Sequence, residues 1–161
     1  MIEPQDFLNE LPLDEARAAL FRCCGSRRWV AEMLERRPWP SAAALYGDAG
    51  AIWAALHRDD LLEAFAQHPR IGGAGGDAWS RHEQAGAAGA DEQTRRALHE
   101  ANDRYFDRFG YIFIVCATGK TAGEMLALIE RRLSNDPTRE LAIAAAEQAR
   151  ITRLRLEKMG G

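Results

Sequence analysis

The sequence predicts an all-α protein, and three observations carry that expectation. Apolar residues recur at helical spacing in one segment after another, capping side chains stand just ahead of those segments, and glycine or proline closes them. Only Tyr111 to Ala117 is aromatic and β-branched enough to predict extended or irregular chain. A single such segment has no second strand to pair with, so its backbone groups are expected to be satisfied by turns, water or a ligand. The 161 residues are expected to form one domain over 1–161, large enough to bury a core without disulfides.

The elements follow in order. Phe7, Leu8 and Leu11 form a small apolar patch closed by Pro12, read as one short turn. Leu13 to about Cys24 reads as a helix, with Asp14 and Glu15 in its first turn and Gly25 as its stop. Ser26 suits the cap of a helix carrying Trp29, Val30, Met33 and Leu34 that ends before Pro38. Ser41 caps another with Leu45, and the run around Ile52, Trp53 and Leu56 either continues it or opens a new one. Asp59 or Asp60 is the expected cap for Leu61, Leu62 and Phe65. That helix should end at His68, because proline disfavours the helical region for the residue before it.

Beyond the Gly72–Gly76 bend, Ser80 to about Ala88 predicts a short helix. Asp91 opens a longer one with Leu98, Ala101, Tyr105 and Phe109 inward, stopped by Gly110. Thr121 caps a helix through Leu133 with Met125, Leu126, Ile129 and Leu133 facing the core. Pro137 suits the first turn of a final helix to about Met159.

Composition narrows the function classes. The net charge of −3 argues against nucleic acid as a partner, since duplex binding shows a strongly basic face. No apolar stretch approaches the ~18 residues needed to span a membrane. Cys23, Cys24 and Cys116 have neither disulfide-framework nor zinc spacing, which points to a reducing compartment. The acidic opening residues read as no secretory signal and Met159-Gly160-Gly161 as no peroxisomal address, so a cytoplasmic location is expected.

The most informative residues are His68-Pro69-Arg70-Ile71-Gly72 followed by Ser80, Glu83 and Gln84. His68 falls at a helix's negative end, where the protonated imidazole is favoured. Spacings of three and four residues put Ser80, Glu83 and Gln84 side by side if the segment is helical. A proton donor facing a carboxylate and two neutral hydrogen-bonding groups suits a small polar substrate. Plainer readings exist for each: His68 as a helix terminator, Ser80 and Glu83 as a capping box. His57, His82 and His99 show no metal-ligand spacing and read as surface residues. Cys116 reads as a packing residue, the tryptophans Trp29, Trp39 and Trp53 as core anchors, and Trp79 as a pocket wall.

Taken together, these residues resemble the 2-oxo-4-hydroxy-4-carboxy-5-ureidoimidazoline (OHCU) decarboxylase family, and especially the decarboxylase domain of plant-type allantoin synthase. The blocks are His68-Pro69-x-Ile71-Gly72, Trp79-Ser80-x-x-Glu83-Gln84, Asn102-x-x-Tyr105-x-x-x-Phe109-Gly110-x-x-Phe113-Ile114-Val115-Cys116-Ala117, and Glu147-Gln148-x-x-x-Ile151-x-x-Leu154-Arg155-Leu156. The resemblance implies a helical enzyme that needs no metal or organic cofactor and forms a homodimer. It converts the ureidoimidazoline to S-allantoin in urate degradation, with a possible link to the hydrolase of the preceding step.

Position by position, it implies that His68, Glu83 and Arg155 are the catalytic set, with Arg155 meeting an anionic group. Pro69, the strip Ser80, Arg81, His82 and Gln84, and the stretch Phe113, Ile114, Val115, Cys116 and Ala117 would bind substrate, the last through its main chain. Arg70 departs from the Asp or Gln of that family, so whether its guanidinium reaches the pocket is a question for the structure. Two alternatives stay open: a hydrolase or lyase of another ureide, and a non-catalytic helical interaction module.

Overall fold

In the computed structural model, residues 1–71, 82–87 and 90–161 are described, and among them the chain is helical with no strand. Eight α-helices run in order: α1 Pro4–Glu10, α2 Leu13–Cys23, α3 Arg27–Glu35, α4 Ala42–Ala54, α5 Arg58–Ala66, α6 Glu92–Phe109, α7 Ala122–Arg132 and α8 Pro137–Glu157. One 3-10 turn, Ala85–Ala87, lies between α5 and α6. None of these helices is long and apolar enough to cross a membrane. The chain divides into two compact units, Met1–Ala64 with Ala149–Gly161, and Phe65–Gln148.

In the first unit α3 packs on α2 and α4, and α1 packs on α2 and α4. The caps stand where the sequence puts them. Ser26 Oγ accepts the Trp29 N–H at 3.2 Å, and Ser41 Oγ accepts the Ala44 N–H at 3.1 Å. The core gathers Leu8, Leu20, Trp29, Met33 and Leu45, all fully buried. Trp29 keeps its indole N–H satisfied by donating to the Ala49 carbonyl at 3.1 Å. The last carbonyls of α2 have no partner within their own helix. They are taken by side chains of α8: Thr152 Oγ1 donates to Cys23 O at 3.3 Å and Arg155 Nη1 to Arg22 O at 2.9 Å.

In the second unit α6 packs along α7. Asp91 Oδ1 accepts the Thr94 N–H at 2.7 Å at the start of α6, and Gly110, at φ +83°, closes that helix in the left-handed conformation. Thr121 and Glu124 form a reciprocal capping box at the start of α7. Between them residues 111–117 are irregular, as expected, and Phe113 to Ala117 are buried. The Tyr105 ring meets Phe109, Tyr111 and Phe113 at centroid distances of 4.7, 5.9 and 5.3 Å.

Several sequence expectations need correction. The chain before Pro12 makes the seven-residue helix α1, with Pro4 in its first turn, because Pro12 stops the helix only after Glu10. Cys24, in extended conformation at φ −150°, ends α2 before Gly25 is reached. Leu45, Ile52 and Trp53 share the single helix α4. Asp59 and Asp60 lie inside the first turn of α5, where their charge faces the helix dipole's positive end, and Asp60 Oδ2 accepts the N–H of His57, the residue before the helix, at 3.4 Å. Leu126 of α7 and Leu133 just past its end are half-buried, while Arg132 takes a core position. The final helix stops at Glu157, short of Met159.

The backbone of 111–117 is the most consequential correction. Side chains, and not turns or solvent alone, satisfy it. Arg132 Nη1 donates to Ile114 O at 2.7 Å, Glu147 Oε1 accepts from the Cys116 N–H at 3.1 Å, and Lys120 Nζ donates to Cys116 O at 2.7 Å. Arg132 is held by the fully buried Glu140, its Nη2 lying 2.6 Å and its Nε 2.8 Å from Oε2. The Tyr105 hydroxyl donates to that same oxygen, and its pKa is driven far above the usual phenol value by burial and by the bond to Glu140.

Removing one partner of such a pair strands the other charge in the core. Arg132→Met is therefore expected to destabilise the protein by about 3–5 kcal/mol, with the Arg132→Met, Glu140→Gln double variant less destabilised than the sum of the two single changes. Urea unfolding followed by circular dichroism measures both. Additive losses would show that the two side chains do not act as a pair.

Candidate active site

His68 stands just past α5, with its own N–H on the Phe65 carbonyl at 3.2 Å. The helix ends at Ala66, two residues before the expected His68, with Gln67 in a turn between them. The imidazole is half-buried, and its Nε2 lies 2.5 Å from Oε1 of Gln148, a fully buried residue of α8. Two further contacts fix the chain that follows. Arg70 Nη1 donates to Asp103 Oδ1 at 2.5 Å, and Asn102 Nδ2 donates to Ile71 O at 3.2 Å. The Arg70 guanidinium also lies 5.8 Å from the Phe106 ring centroid. Arg70 is thus engaged with the exposed side of α6, and the Arg70 bond holds the Asp103 carboxyl below its usual pKa.

The second strip is described in part. Ser80 and Arg81, with Trp79 and the 72–76 bend, lie outside the described residues, and so does the proposed side-by-side arrangement of Ser80 with Glu83 and Gln84. His82 and Glu83 are helical and Gln84 is in the turn that follows. Glu83 is 9% exposed, Gln84 half-buried and His82 exposed. Gly86 brings this segment against the turn before α7, since a Cβ there would overlap the Lys120 carbonyl oxygen.

The third strip, Phe113 to Ala117, presents its main chain from a buried position. The Cys116 thiol is raised above its ordinary pKa, first by burial, with the Glu147 and Glu83 charges adding to it and Lys120 opposing. That shift places Glu83 and Glu147 in the electrostatic neighbourhood of the strip. In the second unit, residues 147 and 148 of α8 thus meet the 113–117 main chain and the His68 ring respectively. Consecutive side chains there hold the strip and the imidazole.

Arg155 belongs to the first unit. It is 7% exposed and caps the end of α2, so its surroundings are those of a buried group and not of a solvated helix face. His57 and His99, like His82, are exposed, in line with the surface reading. Trp29, Trp39 and Trp53 are buried as core anchors.

Sequence reasoning gave no role to Gln148, Glu147, Asn102, Asp103, Lys120 or Arg132. Glu147 and Gln148 carried a usable signal, standing at the end of the run Leu141 to Ala146, which is otherwise alanine, leucine and isoleucine. Adjacent polar residues closing an apolar helix run face a core that must offer them partners.

The second unit of this helical fold holds a histidine just past a helix end and an irregular main-chain strip, each bonded to one of two adjacent residues of α8. Residues 9–157 match the OHCU decarboxylase family, and the chain belongs to it. It is 37% identical to the uric acid degradation bifunctional protein TTL of Arabidopsis thaliana over 147 residues, covering 85% of this chain and 45% of that one. It is 28% identical to the uric acid degradation bifunctional protein PucL of Bacillus subtilis (strain 168), covering 94% of this chain and 31% of the relative. The chain thus spans less than half the length of these relatives. Among solved structures, it superposes with a TM-score of 0.76 on a crystal structure of OHCU decarboxylase in the presence of (S)-allantoin. The two share 35% sequence identity, and the match covers 86% of this chain and 94% of the other.

The cysteines allow a check of the packing. Burial pushes the Cys24 thiol up to about 12 and raises Cys116 as well. The thiolate is the reactive form. Native protein treated with iodoacetamide at pH 8 should remain unmodified at both positions, while the same protein in urea is alkylated, as read by peptide mass spectrometry. Prompt native labelling of Cys116 would contradict its packing role.

Proposed function

We propose that this protein decarboxylates 2-oxo-4-hydroxy-4-carboxy-5-ureidoimidazoline to S-allantoin, as a cofactor-independent carboxy-lyase of urate degradation. One observation carries the reading: the imidazole of His68 is fixed by Gln148 while the adjacent Glu147 fixes the 113–117 main chain, in a member of the OHCU decarboxylase family.

The chemistry explains why such a site suffices. The substrate's carboxylate sits on a hydroxyl-bearing carbon next to an imine. When the carbon–carboxylate bond breaks, carbon dioxide leaves and the electron pair passes into the conjugated C=N system. The ring itself is the electron sink. The protein must orient the substrate, stabilise the developing charge and deliver one proton to one face of the ureido-bearing carbon. His68 delivers that proton, and Glu83 binds hydroxyl or ureido N–H groups.

The Cys116 N–H is held by Glu147. The flanking N–H groups of Val115 and Ala117 are therefore the ones assigned to ring carbonyl oxygens. Pro69, Gln84, Phe113 and Ile114 complete the substrate contacts, together with Ser80, Arg81 and His82 of the second strip. Arg155 keeps the anion-binding role that the family resemblance gives it. The protein acts as a cytoplasmic homodimer, functionally linked to the hydrolase that makes its unstable substrate.

A coupled assay tests the reading. Urate oxidase and the preceding hydrolase generate the substrate from urate, and circular dichroism follows the allantoin formed. Wild-type protein should give a rapid rise of the S enantiomer. His68→Asn should lower kcat by about 10²–10⁴-fold, the usual contribution of one positioned acid or base, with the helical spectrum unchanged. Wild-type rates in that variant would remove His68 from the chemistry. Accelerated loss of a different ureide, or no effect on any, would favour the hydrolase or the non-catalytic reading.

A further inference from the structure

We infer that Gln148 is the positioning residue that sets the tautomer of His68, holding Nε2–H so that Nδ1 is the nitrogen that exchanges a proton with substrate. The inference rests on the decarboxylase reading for its consequence, though not for its geometry. Nε2 of His68 and Oε1 of Gln148 are 2.5 Å apart, and Gln148 is fully buried. An amide oxygen accepts only, so the ring nitrogen facing it must carry a hydrogen in both the neutral and the cationic ring. In the neutral ring that leaves the lone pair on Nδ1; in the imidazolium it leaves Nδ1–H as the proton to be exchanged.

The proton balance follows. Loss of carbon dioxide consumes one proton at carbon. It leaves Nδ1 of the imidazolium, the ring relaxes to the neutral Nε2–H form already matched to Gln148, and a solvent proton restores Nδ1–H. No rotation of the ring is needed between turnovers. A neutral amide also differs from a carboxylate in this place. A carboxylate would stabilise the imidazolium and hold back the proton that has to leave, whereas an amide orients the ring without forming an ion pair.

Other contacts keep the geometry from drifting. Gln148 follows Glu147, which accepts from the Cys116 N–H at 3.1 Å, so the helix that sets the ring also sets the strip assigned to substrate. On the other side the loop is fastened at Ile71 by Asn102 and at Arg70 by Asp103. The His68 ring is thereby held at its tip while the backbone behind it is tied to α6. A positioned general acid requires that combination.

The test is nuclear magnetic resonance of protein labelled with 15N-histidine, with the His68 signals assigned by their loss in His68→Asn. Wild-type neutral His68 should show a protonated Nε2 and an unprotonated Nδ1. Gln148→Met, close in shape and without the acceptor, should shift the ring towards a mixture of tautomers. It should also lower kcat by the 10–100-fold typical of lost ring-orienting partners, at little change in KM. Gln148→Glu restores an acceptor and should recover the Nε2–H signature and part of kcat.

A neutral wild-type ring with its proton on Nδ1 overturns the proposal, as does a Gln148→Met variant with unchanged tautomer and kcat. If Gln148→Met does not fold, Gln148→Ala makes the same comparison, and an unchanged tautomer and kcat in it overturn the proposal. If wild-type protein shows the expected tautomer yet does not decarboxylate, the functional reading fails while the assignment of the ring stands.

Discussion

The second unit depends on one buried interaction, the pairing of Arg132 with Glu140. A carboxylate with no exposed surface is tolerated only when its oxygens are matched by donors. Here they receive the Arg132 guanidinium, the Tyr105 hydroxyl and the Asn135 amide. The geometry gives Arg132 two further tasks. Its Cζ lies 4.4 Å from the Phe113 ring centroid, and its Nη1 reaches the Ile114 carbonyl at 2.7 Å. A planar, permanently charged fork can serve a carboxylate and a carbonyl at once, which a lysine in this position could not. The pair therefore fixes where the irregular strip lies against α6, α7 and α8.

From that fixed strip the rest of the site is within a few bonds. Glu147 holds the Cys116 N–H, and its neighbour Gln148 holds the His68 ring. Asn102 and Asp103, also consecutive, hold the chain just after His68. Two pairs of adjacent residues on two helices clamp the imidazole from its tip and from its backbone. Rigid helices are better supports than loops for this purpose, because each side chain's direction is set by a backbone that packing has already fixed.

Much of the fold was legible in the sequence because helix signals are local. Ser26, Ser41, Asp91 and Thr121 cap as their side chains suggest, and Gly110 takes the left-handed turn that its place after Phe109 requires. The misreadings came where two neighbours competed for one role. Cys24 and not Gly25 ends α2, and Asp60 lies within its helix where a cap was expected. Of the site, His68 was visible through the proline after it, whereas Gln148 was marked only as a polar residue closing an apolar run. A contact across 80 positions has no local signature, so nothing in the sequence named its partner. Arg132 was hidden for a related reason, since a heptad-like pattern assigns inward places to leucines and cannot foresee a core that demands a charge.

An α-helix consumes its own backbone donors and acceptors, so a purely helical unit offers a ligand little main chain. The irregular segment Tyr111 to Ala117 is where this protein interrupts that self-satisfaction, between the left-handed Gly110 and the capping box at Thr121. Such an interruption is stable in a core only if side chains replace the missing helical bonds, and Arg132, Lys120 and Glu147 do so at Ile114 and Cys116. Because Arg132 is itself anchored by the buried Glu140, the strip is held at Ile114, and the dipoles of the peptide groups there keep a fixed direction. Fixed dipoles need no reorganisation when charge develops on a bound heterocycle, which is the property that electrostatic stabilisation of a decarboxylation requires. The bonds that let an irregular strip exist inside a helical unit are thus the same ones that would hold it still under the proposed function.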